Sequence, residues 1–392
     1  MNNTYDHSKP FTPIGSTNFR NTNQLFGIKL QDRYNHIYTL GKTGSGKSTL
    51  LLNMALDDVY KGYSVILVDP HGDACLELLK HIPEYRKPDV IYFDATNAAH
   101  PTGFNPLHDV PKADRHLAAS EIVQAFKKIW IDSWGPRLEY ILRFAILTLL
   151  EYPAATLLDI QPLLLDQAFR NLVLQFTDDN AIRSFWFNEY DKYPAALRAD
   201  AIMPILNKAG VFQASETLKN IVGQKDGISI ETMMNSNKIL VCNLSKGIIG
   251  EDISQILGSL ITTGIQNAAM RRAKLPEAER KTCTVFIDEC HSFLTASFAT
   301  MLSEVRKYKV ALFLTNQYLD QLPAEVRSAI LGNVGTIICF RLGTADAKVM
   351  AGEFYPVFKV DDFISLPKYQ VYLKLLIEGT ASRPFSATTL SL

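Results

Sequence analysis

The chain has 392 residues, 47% hydrophobic, 20% charged and 10% aromatic, which excludes a disordered, collagen-like or low-complexity protein. Lys and Arg number 40 and Asp and Glu 40, so a globally basic nucleic-acid binder is excluded, although a local basic lining is not. The five cysteines (Cys75, Cys242, Cys283, Cys290 and Cys339) form no CxxC pair and read as reduced, packed residues. No apolar stretch approaches the roughly 20 residues of a spanning helix. Residues 1–11 lack the apolar core of a signal peptide. A soluble, cytoplasmic protein is therefore expected.

Residues 1–24 are rich in Asn, Thr, Ser and Pro without periodicity and predict an irregular N-terminal arm. From residue 36 onward, short apolar runs recur at 36–40, 64–69, 90–94, 238–243, 283–288, 310–315, 335–340 and 370–377. Continuous runs of this length predict strands buried on both faces. Helical patterns at 48–61, 253–272 and 297–309 separate several of them, which predicts an α/β fold with a mainly parallel sheet. Between residues 111 and 231 the pattern is helical throughout, at 115–130, 136–151, 157–174, 180–190 and 195–208. The expected organisation is a core of residues 25–110 and 232–392 interrupted by an all-helical insertion at 111–231. Residues 112–230 carry 13 basic and 14 acidic side chains, so the insertion is no obvious DNA-binding patch.

The strongest motif is Gly41-Lys42-Thr43-Gly44-Ser45-Gly46-Lys47-Ser48, followed by Thr49, between an apolar strand and a helix. It fits the phosphate loop of P-loop NTPases. Gly41, Gly44 and Gly46 let backbone N–H groups curl toward phosphate oxygens, with Thr43, Ser45 and Thr49 in the same cradle. The following helix N-terminus adds partial positive charge. Lys47 reaches the β- and γ-phosphates, and Ser48 ligates Mg²⁺. A second apolar run ends in Asp288-Glu289. There Asp288 is expected to hold the Mg²⁺ shell and Glu289 to activate the attacking water. ATP is favoured over GTP, because Asn207-Lys208-Ala209-Gly210 lacks the aspartate of the guanine-reading motif.

Four further residues and one basic cluster carry open readings. Gln317 ends the strand at 310–315 and either senses the γ-phosphate or caps a turn. Arg306 and Arg341 are candidate arginine fingers, each set against a plain surface role. His71, in Asp69-Pro70-His71-Gly72-Asp73, touches a ligand or merely occupies a turn. Arg271-Arg272-Ala273-Lys274 is a conceivable nucleic-acid contact, with a structural loop the better reading.

Taken together, His36-Ile37-Tyr38 before the phosphate loop, Val68-Asp69-Pro70-His71-Gly72-Asp73, Ile287-Asp288-Glu289 and Thr315-Asn316-Gln317 resemble the HerA/FtsK superfamily of motor ATPases. Ser303-Glu304-Val305-Arg306-Lys307-Tyr308 and Pro323-Ala324-Glu325-Val326-Arg327 add to the likeness. Within that superfamily the chain is similar to type IV secretion coupling proteins of the TraG/TraD/TrwB kind. The resemblance implies a RecA-like core, a homo-hexameric ring, ATP sites at subunit boundaries, Arg306 acting in trans and DNA threading a central channel. Coupling proteins commonly begin with membrane-spanning helices and this sequence shows none, so a soluble motor, or one peripheral at the inner membrane in a transfer, secretion or defence system, is expected. Two rivals remain: an ATPase powering protein secretion or pilus assembly, and a nucleotide-switched scaffold.

Overall fold

The computed structural model describes residues 7–19 and 22–392. Two compact units divide the chain. One holds the residues up to Phe93 with Ile230–Ser245 and Ala268–Leu392; the other holds Asp94–Ser229 with Lys246–Asn267. The strands are β1 (Phe11–Thr17), β2 (Leu25–Lys29), β3 (Ile37–Leu40), β4 (Ser64–Asp69), β5 (Val90–Asp94), β6 (Ile239–Asn243), β7 (Cys283–Ile287), β8 (Val310–Asn316), β9 (Thr336–Cys339), β10 (Gln370–Lys374), β11 (Leu376–Ile377), β12 (Thr380–Ala381) and β13 (Phe385–Thr389). All but β11 and β12, which pair with each other, form an 11-stranded sheet in the order β2-β1-β13-β10-β9-β3-β8-β7-β4-β6-β5. Between β5 and β6 lie helices and loops without a strand, among them Arg115–Ile129, Pro136–Glu151 and Ala195–Ala214. The fold is α/β with an inserted all-helical segment, as the sequence predicts.

The centre of the sheet is parallel: β3 pairs with β8 and β9, β4 with β6 and β7, and β7 with β8. Every residue of these six strands is buried. Val65, Leu67, Phe286, Phe313 and Ile338 share a core with Leu50, Met54, Ala55 and Val59 of the helix Lys47–Tyr60. The alternate positions Ile66, Val68, Val285 and Leu312 are buried too, which explains the unbroken apolar runs. Fully burying one such aliphatic side chain contributes about 1.5–3 kcal/mol. Because the strands run the same way, the residues that follow β3, β4, β7 and β8 all emerge at one sheet edge.

Beyond β9 the pairing becomes antiparallel, through β10, β13, β1 and β2. This corrects the expectation of an irregular arm, since residues 11–17 form β1, an interior strand. Pro13 and Gly15 hide it in the sequence. The register with β2 shifts between Pro13 and Gly15, a local irregularity at which a proline's missing N–H costs the ladder little. Residues 1–6 and 20–21 of the arm lie outside the described residues. All five cysteines are buried thiols outside any disulfide, and burial pushes the Cys283 thiol up to about 11. Among the described residues no helix is long and apolar enough to cross a membrane.

His36 precedes β3 with φ at 66° and is 1% exposed. Its Nδ1 accepts the Leu312 N–H at 3.2 Å. Its Nε2 lies 3.1 Å from the Leu302 carbonyl, which only accepts, so Nε2 carries the proton. Burial holds the ring's pKa down at about 4. The unfolded chain therefore binds a proton at this position near pH 6.5 while the native state stays neutral. Stability falls as pH drops from about 6.5 toward about 4, by an amount on the order of 3 kcal/mol. Urea unfolding across that window should show this loss in the wild type and a shallower one in His36→Asn.

Candidate functional site

A cavity of about 370 Å³ opens at the sheet edge where the parallel strands end. Its floor is the loop after β3, with Thr43, Gly44, Gly46, Lys47, Ser48 and Thr49 in the lining. The helix Lys47–Tyr60 starts there with no side-chain cap, so the N–H groups of its first turn are left for a ligand. Gly46 has φ at 121°, and a Cβ on it would lie 2.8 Å from the Tyr369 ring, so both backbone and space demand glycine. Lys47 is only 6% exposed, and its ammonium folds onto the Gly41 carbonyl at 2.6 Å. Burial lowers its pKa, while Glu289 and Asp288 oppose that shift.

The acids come from the end of β7. Asp288 and Glu289 are each 5% exposed. Ser48 Oγ donates to Asp288 Oδ2 at 3.4 Å, joining residues 240 positions apart. Asp288 Oδ1 accepts from the Thr315 hydroxyl and, at 3.0 Å, from the Glu289 N–H. Glu289 sits in the left-handed region, φ 44° and ψ 54°, a conformation that costs a non-glycine residue about 1–3 kcal/mol and gathers at functional sites. Its Oε2 is buried without a hydrogen-bond partner, with His291 Nδ1 3.5 Å away. Burial, then the charge of Asp288, raises the Glu289 pKa, against the pull of Lys47, Gln317 and His71. A carboxylate so placed can accept a proton from water.

Two loops close the sides. After β4, Asp69 accepts from the N–H groups of His71 at 2.8 Å and Ala74 at 2.9 Å, folding the turn back so that His71 and Asp73 line the cavity. Gly72 has φ at 87°, and a Cβ would meet Asn243 Oδ1 at 2.5 Å. After β8, Gln317 lines the cavity close enough to Glu289 to oppose the rise in its pKa. Its N–H is held by Gln321 Oε1 at 3.3 Å. Gln321 in turn reaches His291 Nε2 at 3.3 Å, and His291 Nδ1 reaches Asn316 Oδ1 at 3.2 Å. Glu289 and the loop after β8 thus share one polar network.

The expected residues do not all meet. Gly41 and Ser45 do not line the cavity. Gly41 packs against Phe340, and Ser45 braces the loop by donating to the Lys42 carbonyl at 2.6 Å. Arg306 is exposed in a separate polar cleft with Asp32, Asn35, Glu304 and Glu378, at the starting end of β8. The seven residues of β8 put it about 20 Å from the cavity edge. Arg341 lies at the cavity's own edge, its carbonyl bonded to the Lys42 N–H at 2.9 Å. Arg272 is 1% exposed and donates to the carbonyls of Met234, Tyr308 and Lys281, so it ties loops together and is not free to contact DNA. Missed entirely are Lys368 and Tyr369, which line the cavity from the far end of the chain. Tyr369, with φ at 65°, donates its N–H to the Ser45 carbonyl at 2.9 Å, and the Lys368 ammonium lies 4.7 Å over its ring.

The donor set suits a phosphorylated ligand that brings its own cation. Among the described residues no cluster of three or more His, Cys, Asp or Glu could hold a metal alone. A single carboxylate beside a hydroxyl is how proteins share Mg²⁺ with substrate phosphates. Comparison with known proteins agrees. The family model for the central domain of the helicase HerA matches residues 21–265. The chain belongs to the HerA family. No curated protein sequence matches it. Among solved structures, the unbound bacterial conjugative coupling protein TrwBΔN70 matches with a TM-score of 0.67 at 15% identity, over 93% of this chain and 86% of that one. The plasmid coupling protein TrwB in complex with ADP and Mg²⁺ matches with a TM-score of 0.67 at 15% identity, over 98% and 96%. VirB4 of Thermoanaerobacter pseudethanolicus matches with a TM-score of 0.67 at 14% identity, over 99% and 98%. This HerA-family chain therefore has a RecA-like core and shares its fold with the coupling protein TrwB and with VirB4.

Proposed function

We propose that this HerA-family chain hydrolyses ATP at the subunit boundaries of a hexameric ring and uses the cycle to move DNA. The observation that carries the reading is the 3.4 Å contact between Ser48 and Asp288 with Glu289 beside it, on the floor of a cavity that ends in an uncapped helix. The phosphate loop and the helix N–H groups bind the triphosphate, and Lys47 swings from the Gly41 carbonyl onto the β- and γ-oxygens. Ser48 and Asp288 would hold Mg²⁺, which when bound neutralises phosphate charge. Glu289 orients water and takes its proton. Gln317, in the cavity lining beside Glu289, registers loss of the γ-phosphate and passes it through Gln321 and the loop after β8 to DNA-gripping loops. Arg306 from a neighbouring subunit neutralises transition-state charge. That the likeness extends to a coupling protein solved with ADP and Mg²⁺ supports the choice of ligands.

One assay tests this. ATP turnover should rise several-fold on adding single- or double-stranded DNA, and Lys47→Ala should abolish it with and without DNA. Turnover that ignores both forms of DNA would point to an ATPase driving protein transport. Turnover that survives Lys47→Ala would remove the phosphate loop from the chemistry.

A further inference from the structure

His36 is buried, takes no part in the cavity and has both ring nitrogens committed to main-chain groups. Those groups belong to residues that are neighbours in space but not in sequence. Nε2–H donates to the carbonyl of Leu302, within the helix Phe298–Glu304, and Nδ1 accepts from the N–H of Leu312, in β8. The stretch they bracket includes the single turn Val305–Tyr308 and Lys309 with φ at 56°, and Arg306 is at its centre. Between the helix that ends at Glu304 and β8 only the single turn intervenes, with the Lys309 N–H on the Arg306 carbonyl at 3.2 Å and Arg280 and Arg272 on the carbonyls of Lys307 and Tyr308 at 2.7 and 2.9 Å; His36 adds a bond on either side of that turn. The backbone of His36 is itself fixed, because its carbonyl takes the Thr336 N–H at 3.3 Å as β3 meets β9.

We propose that His36 is a positioning residue for the trans arginine: a ring set immediately before β3 that bonds the main chain on both sides of the Arg306 turn and so fixes where that guanidinium is offered to the neighbouring subunit. The inference rests on the reading of Arg306 as a finger. The chemistry fits the task. One ring that donates on one side and accepts on the other is satisfied only by a carbonyl and an N–H at fixed separation. Burial and the nearby Arg306 charge both keep the ring uncharged, so the donor–acceptor polarity does not reverse. An ordinary packing residue would support the fold without favouring one function over another. A clamp on this segment affects the neighbour's site and leaves its own subunit's cavity intact.

The experiment is complementation between subunits. His36→Ala removes both bonds. His36→Asn keeps an acceptor near Nδ1, tolerates positive φ and serves if the alanine variant does not fold. His36→Ala alone should lose tenfold or more in kcat while affinity for a fluorescent ATP analogue stays within about twofold, and His36→Asn should fall between it and the wild type. Mixed with Glu289→Gln subunits, which have no base but an intact Arg306 segment, His36→Ala should regain turnover. Arg306→Ala should regain it in the same mixture. If Arg306→Ala recovers there and His36→Ala does not, the clamp is wrong and the finger stands. Equal losses of kcat and nucleotide affinity would make His36 a plain structural residue and also overturn the clamp. Full activity of Arg306→Ala alone, or no recovery in either mixture, would remove the finger and the clamp with it.

Discussion

Glu289→Gln is expected to lower kcat by about 10²–10⁴-fold, the worth of a general base, while nucleotide still binds. The amide has the shape of the carboxylate, so the left-handed backbone at φ 44° and the N–H bonds to Asp288 and Thr315 should persist. What is lost is the proton acceptor whose Oε2 is buried without a partner. Removing one of two adjacent negative charges should leave ATP affinity equal or improved. Phosphate release together with binding of a fluorescent ATP analogue measures both. The pH profile adds a sign. Burial and Asp288 hold the Glu289 pKa above its ordinary value, so wild-type turnover should fall on acidification from a higher pH than a solvent-exposed glutamate would give. The residual turnover of Glu289→Gln should lack that limb. A variant with full turnover would exclude Glu289 as the base.

Arg306→Ala should cost about 10³-fold or more in kcat, the lower range for an arginine finger, although Arg306 lies about a strand's length from its own subunit's cavity. No effect within one subunit accounts for a loss of that size over such a distance. Nucleotide affinity and unfolding midpoint should hardly change, because the side chain is exposed. The loss should appear only at protein concentrations where the wild type is assembled. Arg341→Ala is the control: Arg341 is beside the phosphate loop of its own chain, so its removal should alter nucleotide affinity and not depend on assembly.

Residues legible in the sequence are those whose roles are local. A strand, a glycine-rich turn and a helix announce the phosphate loop, because φ values of 73° at Gly44 and 121° at Gly46 exclude other residues. Apolar runs such as Ser64–Asp69 and Val310–Asn316 read as buried strands, because both faces are covered. What escaped depends on distant partners. Phe11–Thr17 has a proline and a glycine and becomes a strand only between β2 and β13. Lys368 and Tyr369 fit no motif and reach the cavity because β10 is drawn in between β9 and β13, which brings residue 369 onto Ser45. The link from Glu289 through His291 and Gln321 to Gln317 joins the loops after β7 and β8 at one sheet edge, and no spacing in the chain encodes it. A structural role for the loop at Arg272 is the better reading of the sequence, but the carbonyls that bury the side chain are invisible there.

In the proposed function the glycine loop and the acidic pair close on one triphosphate, completed by an arginine from another subunit. A structure of the assembled protein with a non-hydrolysable ATP analogue and Mg²⁺ decides it. The γ-phosphate should lie between Lys47 and Glu289, with Mg²⁺ on Ser48 beside Asp288 and Arg306 of the adjacent subunit within hydrogen-bond reach of the γ-oxygens. A nucleotide bound away from Glu289, or a ring whose Arg306 side chains face solvent at every interface, would contradict it.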